Sequence, residues 1–357
     1  MSHILFMHHG MLATSRQRSF LISSPGRSTA MEQCLDRRVL EFRGNSLAES
    51  TKRTYRTYLS AYLRFCASLQ IPCVPISTKY LARYVAYLSN TCAFSSLRNY
   101  LAIVRLVHLE AGYNNPVDSY YLKSILRWAR LVLGDSTKAK LPITVQMLFS
   151  IFHQLDLTQH FDITFWAVCL TAFFSFFRKS NLLVDSINSY DSSKHLSRHH
   201  ITFSPEGARV TVTWSKTIQY QERVLCIPLP RIPNSPLCPS QALLLVTRLC
   251  PSIHAETPMF TYHRGKHVKA ITYSRFLTRL KHVLIAAGYD CNKYAGHSFR
   301  RGGATLAMEY GMPPAVIQAQ GDWRSDCFRR YLQPSVTYRQ QLASVFSQKL
   351  ASVTHYT

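Results

Sequence analysis

Between Gly296 and Leu332 the chain opens with G-H-S-F-R-R-G-G-A and closes with G-D-W-R-S-D-C-F-R-R-Y-L. His297 and Arg300 lie three residues apart, Trp323 follows after a helix-length gap, and Tyr331 stands eight residues further on. Imidazole, guanidinium and indole N–H groups can all donate hydrogen bonds to phosphate oxygens, and a phenol oxygen is a nucleophile toward phosphorus. Tyr331 is flanked in sequence by Arg324, Arg329 and Arg330. That cationic neighbourhood favours the ionised phenol and draws in a phosphodiester. The chemistry such a set suits is phosphoryl transfer to a tyrosine.

Two more cations stand upstream, each at the edge of an element that would present it. The apolar stretch 163–177 reads as a buried helix, too short to span a bilayer, and Arg178 follows it directly. A guanidinium in such a place either is partly buried and needs an anionic partner or lies at the interface and snorkels to water. Alternation then predicts three antiparallel strands, over 200–203, 210–214 and 223–228. Lys216 falls in the hairpin joining the second to the third.

The ordered set Arg178, Lys216, His297-x-x-Arg300, Trp323 and Tyr331 resembles the catalytic residues of the tyrosine recombinase (phage integrase) family. It is particularly similar to the branch carried by eukaryotic DIRS- and Ngaro-like retroelements, which Gly302-Gly303 also resembles. The resemblance is strong over 296–333, moderate over 165–230 and a matter of pattern alone over 46–133. It implies a DNA recombinase or integrase of a mobile element, acting in the nucleus through a 3′-phosphotyrosyl intermediate. Arg178 and Arg300 would clamp the phosphate, Tyr331 attack it, His297 take the phenolic proton or orient the phosphate, Lys216 protonate the leaving 5′-oxygen, and Trp323 donate its indole N–H. The bond energy stored in the phosphotyrosine means that no cofactor is needed. The sequence departs from the family twice. Asn181 stands where an acid usually lies three residues beyond the first arginine, and the gap from Trp323 to Tyr331 is one residue short. Tyr338, the nearest other phenol, lies too far beyond Trp323 to fit the pattern.

Composition agrees with a polyanionic partner. Forty-two Lys and Arg against eighteen Asp and Glu give the 357-residue chain a formal charge of +24. These charges are dispersed rather than gathered beside a membrane segment, so double-stranded DNA is the expected partner and a membrane is not. Ten cysteines without C-x-x-C pairs, several on apolar stripes, read as reduced, buried thiols of an intracellular protein. No Cys/His group has zinc-ligand spacing, so no metal is expected. No Gly-rich phosphate loop occurs, and a metal-dependent nuclease would need clustered carboxylates that Asp185, Asp322 and Asp326 do not form. A catalytically idle DNA-binding protein of the same fold is the alternative.

The expected architecture is mainly α with a small antiparallel β-sheet. Residues 1–45 read as a disordered basic leader. A capping box at Ser46-Leu47-Ala48-Glu49 predicts a helix start. Tyr55, Leu59, Tyr62, Cys66 and Leu69 form its apolar face, and helices over 78–89, 95–111 and 119–133 follow. This four-helix unit, 46–133, carries eleven Lys/Arg against three Asp/Glu. Lys52, Arg53 and Arg56 on its first helix, and Lys123, Arg127 and Arg130 on its fourth, are candidate phosphate contacts. The resemblance makes it a core-binding, SAM-like domain. A polar linker over 134–141 leads to a catalytic domain over 142–350 and a tail over 351–357. Within that domain helices are expected from Pro142-x-Thr144, over 240–249 and over 273–287. From Thr337 onward Leu342, Val345, Phe346 and Leu350 make an amphipathic helix, which either folds back on its own catalytic domain or, as the resemblance implies, docks on a neighbouring protomer.

Overall fold

The computed structural model describes residues 30–134, 139–220, 222–251 and 254–353. The chain divides into two units between Lys138 and Ala139.

The first unit is helical: α1 (Ala30–Asn45), α2 (Glu49–Ser68), α3 (Thr78–Ser89), α4 (Phe94–Glu110) and α5 (Tyr120–Leu133). The last three start where apolar periods place them, α3 and α5 behind hydroxyl caps. Ser77 accepts from the amide of Tyr80 and Ser119 from that of Leu122, while Gly112 and Gly134 follow α4 and α5 at positive φ. Leu59, Tyr62, Phe65 and Cys66 of α2 pack with Leu81, Tyr84, Leu97, Leu101, Val104 and Leu122 to form the core. Leu69, expected on that face, is exposed, and Phe65 takes its place.

Two expectations fail here. The leader expected over 1–45 is helical from Ala30 to Asn45, and the rest of it lies outside the described residues. The capping box at Ser46 does not form: Ala48 is the N-cap of α2, and the Ser46 hydroxyl donates to the carbonyl of Arg43 at the end of α1. A helix running up to Asn45 makes Ser46 a C-terminal residue of that helix instead of an N-cap of the next.

The second unit begins with α6 (Val145–Phe152), whose cap Thr144 accepts from the amide of Met147, and α7 (His160–Phe174). From Asp162 to Phe173 every residue of α7 is buried. A helix apolar on all sides is a core element, and α7 is the axis around which the unit packs. It stops at Phe174, earlier than the apolar run suggests, because Phe176 turns the chain at φ 53°. Among the described residues no helix is long and apolar enough to cross a membrane. The short α8 (Lys179–Leu182) follows, then the strands β1 (Ile201–Ser204), β2 (Gly207–Val212) and β3 (Leu225–Pro230). They form an antiparallel meander in the order β1-β2-β3, with Ile201 opposite Val210 and Val210 opposite Ile227.

Next come α9 (Pro239–Leu249), a hairpin of β4 (Thr261–Arg264) and β5 (His267–Ala270), and α10 (Tyr273–Ala286). The chain ends with α11 (Gly296–Glu309), α12 (Pro314–Gln320) and α13 (Val336–Val353). The ten cysteines are free thiols, but the burial expected of them holds only in part: Cys66, Cys169, Cys238 and Cys250 are buried, whereas Cys34, Cys226 and Cys327 are exposed.

Helix α11 lies at backbone distance from α7 and from the segment before α6 because two of its residues lack side chains. A Cβ on Gly302 would stand 1.9 Å from the carbonyl oxygen of Ile143, and one on Gly303 would stand 1.9 Å from that of Phe173. No real atom tolerates either contact, so the approach requires glycine at both positions. It sets Arg300 directly beneath the turn at Phe176.

Candidate active site

Arg300 is 1% exposed, the largest fully buried side chain among the described residues. One terminal nitrogen, Nη1, donates to the carbonyl of Phe176. The other, Nη2, and Nε are buried with no acceptor among the described residues. The guanidinium carbon lies 3.8 Å from the ring centre of Trp323 and 5.2 Å from that of Tyr331. Burial, and then the charge of Arg178, push its pKa down. Trp323 is 5% exposed, and its indole Nε1 is also buried without a partner. Trp323 and Tyr331 pack with ring centres 5.3 Å apart. Three unsatisfied N–H groups thus gather beside one phenol. Leaving such groups buried costs about 1–3 kcal/mol each, and an anion is the partner that recovers it.

The segment bearing Tyr331 hangs from α11. Arg301 donates to the carbonyl of Arg330 and the side chain of Gln333, both at 3.1 Å. Thr305 accepts from the amide of Gln333 at 3.1 Å. The phenol is therefore located from the helix that carries His297 and Arg300. The cationic company expected from Arg324, Arg329 and Arg330 is differently supplied. Arg324 pairs with Glu222, and Arg329 pairs with Asp326 at 3.2 Å. The cation over the Tyr331 ring is Arg300.

Arg178 is the N-cap of α8, and its amide donates to the side chain of Asn181 at 3.3 Å. Asn181 therefore serves as a cap and leaves the charge of Arg178 unanswered. The acid comes from elsewhere: Asp322, 4% exposed, places Oδ2 3.8 Å from Arg178 Nη1. Asp322 also accepts from Ser215, at 2.7 Å, and from Thr217 and Arg223. Ser215 and Thr217 flank Lys216, whose side chain is exposed in the turn between β2 and β3. One buried carboxylate thus ties the lysine turn, Arg178 and the residue before Trp323 together. In the sequence Asp322 reads only as a carboxylate without metal partners. Its signal was position alone, next to Trp323.

His297 opens the first turn of α11 and is exposed. Its pKa is nonetheless lowered, first by desolvation and then by the charges of Arg300, Arg178 and Lys179. The neutral ring can accept a proton at physiological pH.

Of the six candidate contacts in the first unit, Lys52 pairs with Glu49 at 2.6 Å and Lys123 with Asp118 at 3.5 Å. Arg53, Arg56, Arg127 and Arg130 are exposed.

No family profile matches the chain. A curated relative, the "integrase/recombinase xerD homolog" of Selenomonas ruminantium, is 23% identical over 305 residues, covering 81% of this chain and 82% of its own length. Among solved structures, the Tn1549 transposon integrase in complex with transposon right end DNA matches 87% of this chain and 97% of its own, at TM-score 0.58 and 14% identity. A lambda integrase dimer bound to a COC′ core site matches 90% of this chain and 82% of its own, at TM-score 0.54 and 14% identity. The XerH site-specific recombinase bound to difH substrate in a post-cleavage complex matches 76% and 72%, at TM-score 0.53 and 15% identity. The fold of this chain is that of the site-specific recombinases and integrases.

Proposed function

We propose that the chain is a tyrosine recombinase that cuts and rejoins DNA strands through Tyr331. The observation that carries this reading is the set of buried donors on Arg300 and Trp323, unpartnered among the described residues and packed against the Tyr331 ring. In the reaction the Tyr331 oxygen forms a bond to phosphorus, and the bond from phosphorus to the 5′-oxygen breaks. The phenolic proton passes to His297, and Lys216 gives a proton to the departing 5′-oxygen. Arg178, Arg300 and the Trp323 N–H hold the non-bridging oxygens, where charge accumulates. Attack by a 5′-hydroxyl on the phosphotyrosine reverses these steps and reseals a strand, so neither a nucleotide nor a metal enters the chemistry.

The cell-level role we propose is integration of a mobile element of the DIRS/Ngaro-like kind in a nucleus, supported by the Gly302-Gly303 pair and the charge of the chain. Self-association is part of the reading. Leu342, Val345, Phe346 and Leu350 of α13 are each about half or more exposed, at 51%, 49%, 69% and 57%. We assign that stripe to a second copy on paired sites. The double variant Leu342→Glu/Phe346→Glu is expected to bind single sites and fail to form paired complexes in gel shift; normal pairing by it would refute the assignment.

The decisive experiment uses a nicked suicide duplex. Wild-type protein is expected to form a covalent adduct that denaturant does not dissolve, and Tyr331→Phe to form none while still binding the duplex. An adduct mapped to Tyr338, or one undiminished in Tyr331→Phe, overturns the assignment. Binding without any adduct in the wild type would make the chain an idle DNA-binding protein of this fold.

A further inference from the structure

The structure assigns a second site, far from Tyr331: we propose that His160, Cys250 and His263 together bind one Zn²⁺ ion that fastens three elements of the second unit. The sequence spacing does not announce this group, since His160 lies ninety residues before Cys250. Folding brings them together. His160 is the first residue of α7, Cys250 the C-cap of α9 and His263 a residue of β4. One ligand atom from each lies within 4.8 Å of the other two. A tetrahedral zinc ion with its usual bond lengths needs such atoms about 3.4–3.6 Å apart, a change that modest side-chain rotation supplies.

A second observation points to a ligand. Nδ1 of His160 is buried and has no hydrogen-bond partner among the described residues. The two imidazoles meet edge to face, with ring centres 5.4 Å apart, and Cys250 is 2% exposed beside them. Two nitrogens and a sulfur make a borderline-soft donor set, suited to Zn²⁺ and unsuited to Mg²⁺ or Ca²⁺. The charge also limits the choice of ligand form. Arg198 donates to Thr261 at 2.9 Å, next to this group, so a dication is tolerated only with Cys250 bound as thiolate. A water completes the tetrahedron. Because α7 rises about 1.5 Å per residue, its His160 end lies about 20 Å from its Phe174 end, beyond which the Phe176 carbonyl meets Arg300. The ion is therefore a structural clip and takes no part in phosphoryl transfer.

The test uses the full-length protein, stripped with a chelator and titrated with Co²⁺ as a spectroscopic substitute. A single Co²⁺ per chain is expected, with a thiolate charge-transfer band in the near ultraviolet and the intense visible bands of tetrahedral cobalt. Zn²⁺ should displace it and raise the melting temperature. Cys250→Ser should lose the charge-transfer band, and His263→Gln should lose the Zn²⁺-dependent shift in melting. Wild-type protein that shows no such band overturns the proposal, as does a band undiminished in Cys250→Ser, which would put the ion on another of the cysteines. If the variants fail to fold, X-ray absorption of the wild-type Zn²⁺ complex decides. One sulfur with two imidazoles supports the site, and any other ligand set sinks it.

Discussion

In the helical unit His108 is 1% exposed, and both of its ring nitrogens are used: Nδ1 lies 2.7 Å from the carbonyl of Val104, and Nε2 accepts from the amide of Ile76 at 2.9 Å. In the second unit Arg300 is just as buried, yet two of its three nitrogens have no acceptor among the described residues. Burial is equal and satisfaction is not. A fully bonded buried group specifies a fold, whereas a cluster of unsatisfied donors is retained at a cost to stability and marks where a ligand completes the structure. The helical unit also leaves one buried hydroxyl, that of Tyr84, without a partner. It stands alone there, while Arg300 Nε, Arg300 Nη2 and Trp323 Nε1 converge on one phenol.

If that difference is functional, removing the unsatisfied donors should hurt chemistry much more than binding. Arg300→Ala is expected to slow single-turnover cleavage by about 10²–10³-fold, the scale of a lost oxyanion donor, with duplex affinity changed little. Parallel losses of cleavage and affinity would instead make Arg300 a docking or folding residue. Asp322→Asn should have the next largest effect. It keeps acceptors for Ser215 and Thr217 but removes the charge facing Arg178 and Arg223. Cleavage should fall about tenfold, as for a weakened charge-assisted bond, and circular dichroism should be unchanged. Cleavage at the wild-type rate would show that Arg178 needs no acid.

Much of this site was legible because each chemical residue lies at the edge of an element that the sequence marks. Arg178 follows an apolar run, Lys216 sits in a hairpin, and His297 opens a helix. What escaped depends on partners distant in sequence. Asp322 meets Ser215 and Thr217 more than a hundred residues away, and no local pattern distinguishes a carboxylate so placed from one in a solvated loop. The β4–β5 hairpin was missed for a different reason: β5 is largely exposed and carries charge, so its strands lack the apolar alternation by which β2 was read. The α1 helix was missed because its buried side is empty; it has no buried residues to impose a period.

The helical unit should respond through salt instead of rate. Arg53, Arg56 and Arg127 are exposed, whereas Lys52 and Lys123 already have carboxylate partners. Each of the three arginines that meets a phosphate should lower the slope of log affinity against log salt by about one when changed to Ala. Lys52→Ala and Lys123→Ala should change it less, since each cation exchanges one anion for another. Identical slopes in all five variants would place the DNA on another face of this unit.

The smallest effect expected concerns acid, and it tests whether the two units carry independent stability. Above pH 6.5, the ordinary histidine value, His108 is neutral both folded and unfolded, so it contributes no pH dependence. Its bonding fixes the neutral tautomer, with the proton on Nδ1 toward Val104 and Nε2 accepting from Ile76. Burial is the main reason its pKa is lowered in the folded chain. Below pH 6.5 the unfolded chain takes up a proton that the folded one refuses, so stability falls with decreasing pH, by at most about 1.4 kcal/mol per pH unit for one proton. The loss continues until the folded pKa is reached. In the second unit His200, buried against Ser197, behaves the same way: desolvation, then His199, lowers its pKa to about 4, so its share is lost between pH 6.5 and about 4. Amide exchange separates the two. Acidification should lower the protection factor of the Ile76 amide, its exchange rate measured against the intrinsic rate at the same pH, and His108→Gln should flatten that response without altering the response at Ser197, whose amide donates to His200. If His108→Gln flattened both, the units would unfold as one, and the division of the chain at Lys138 would have no thermodynamic meaning.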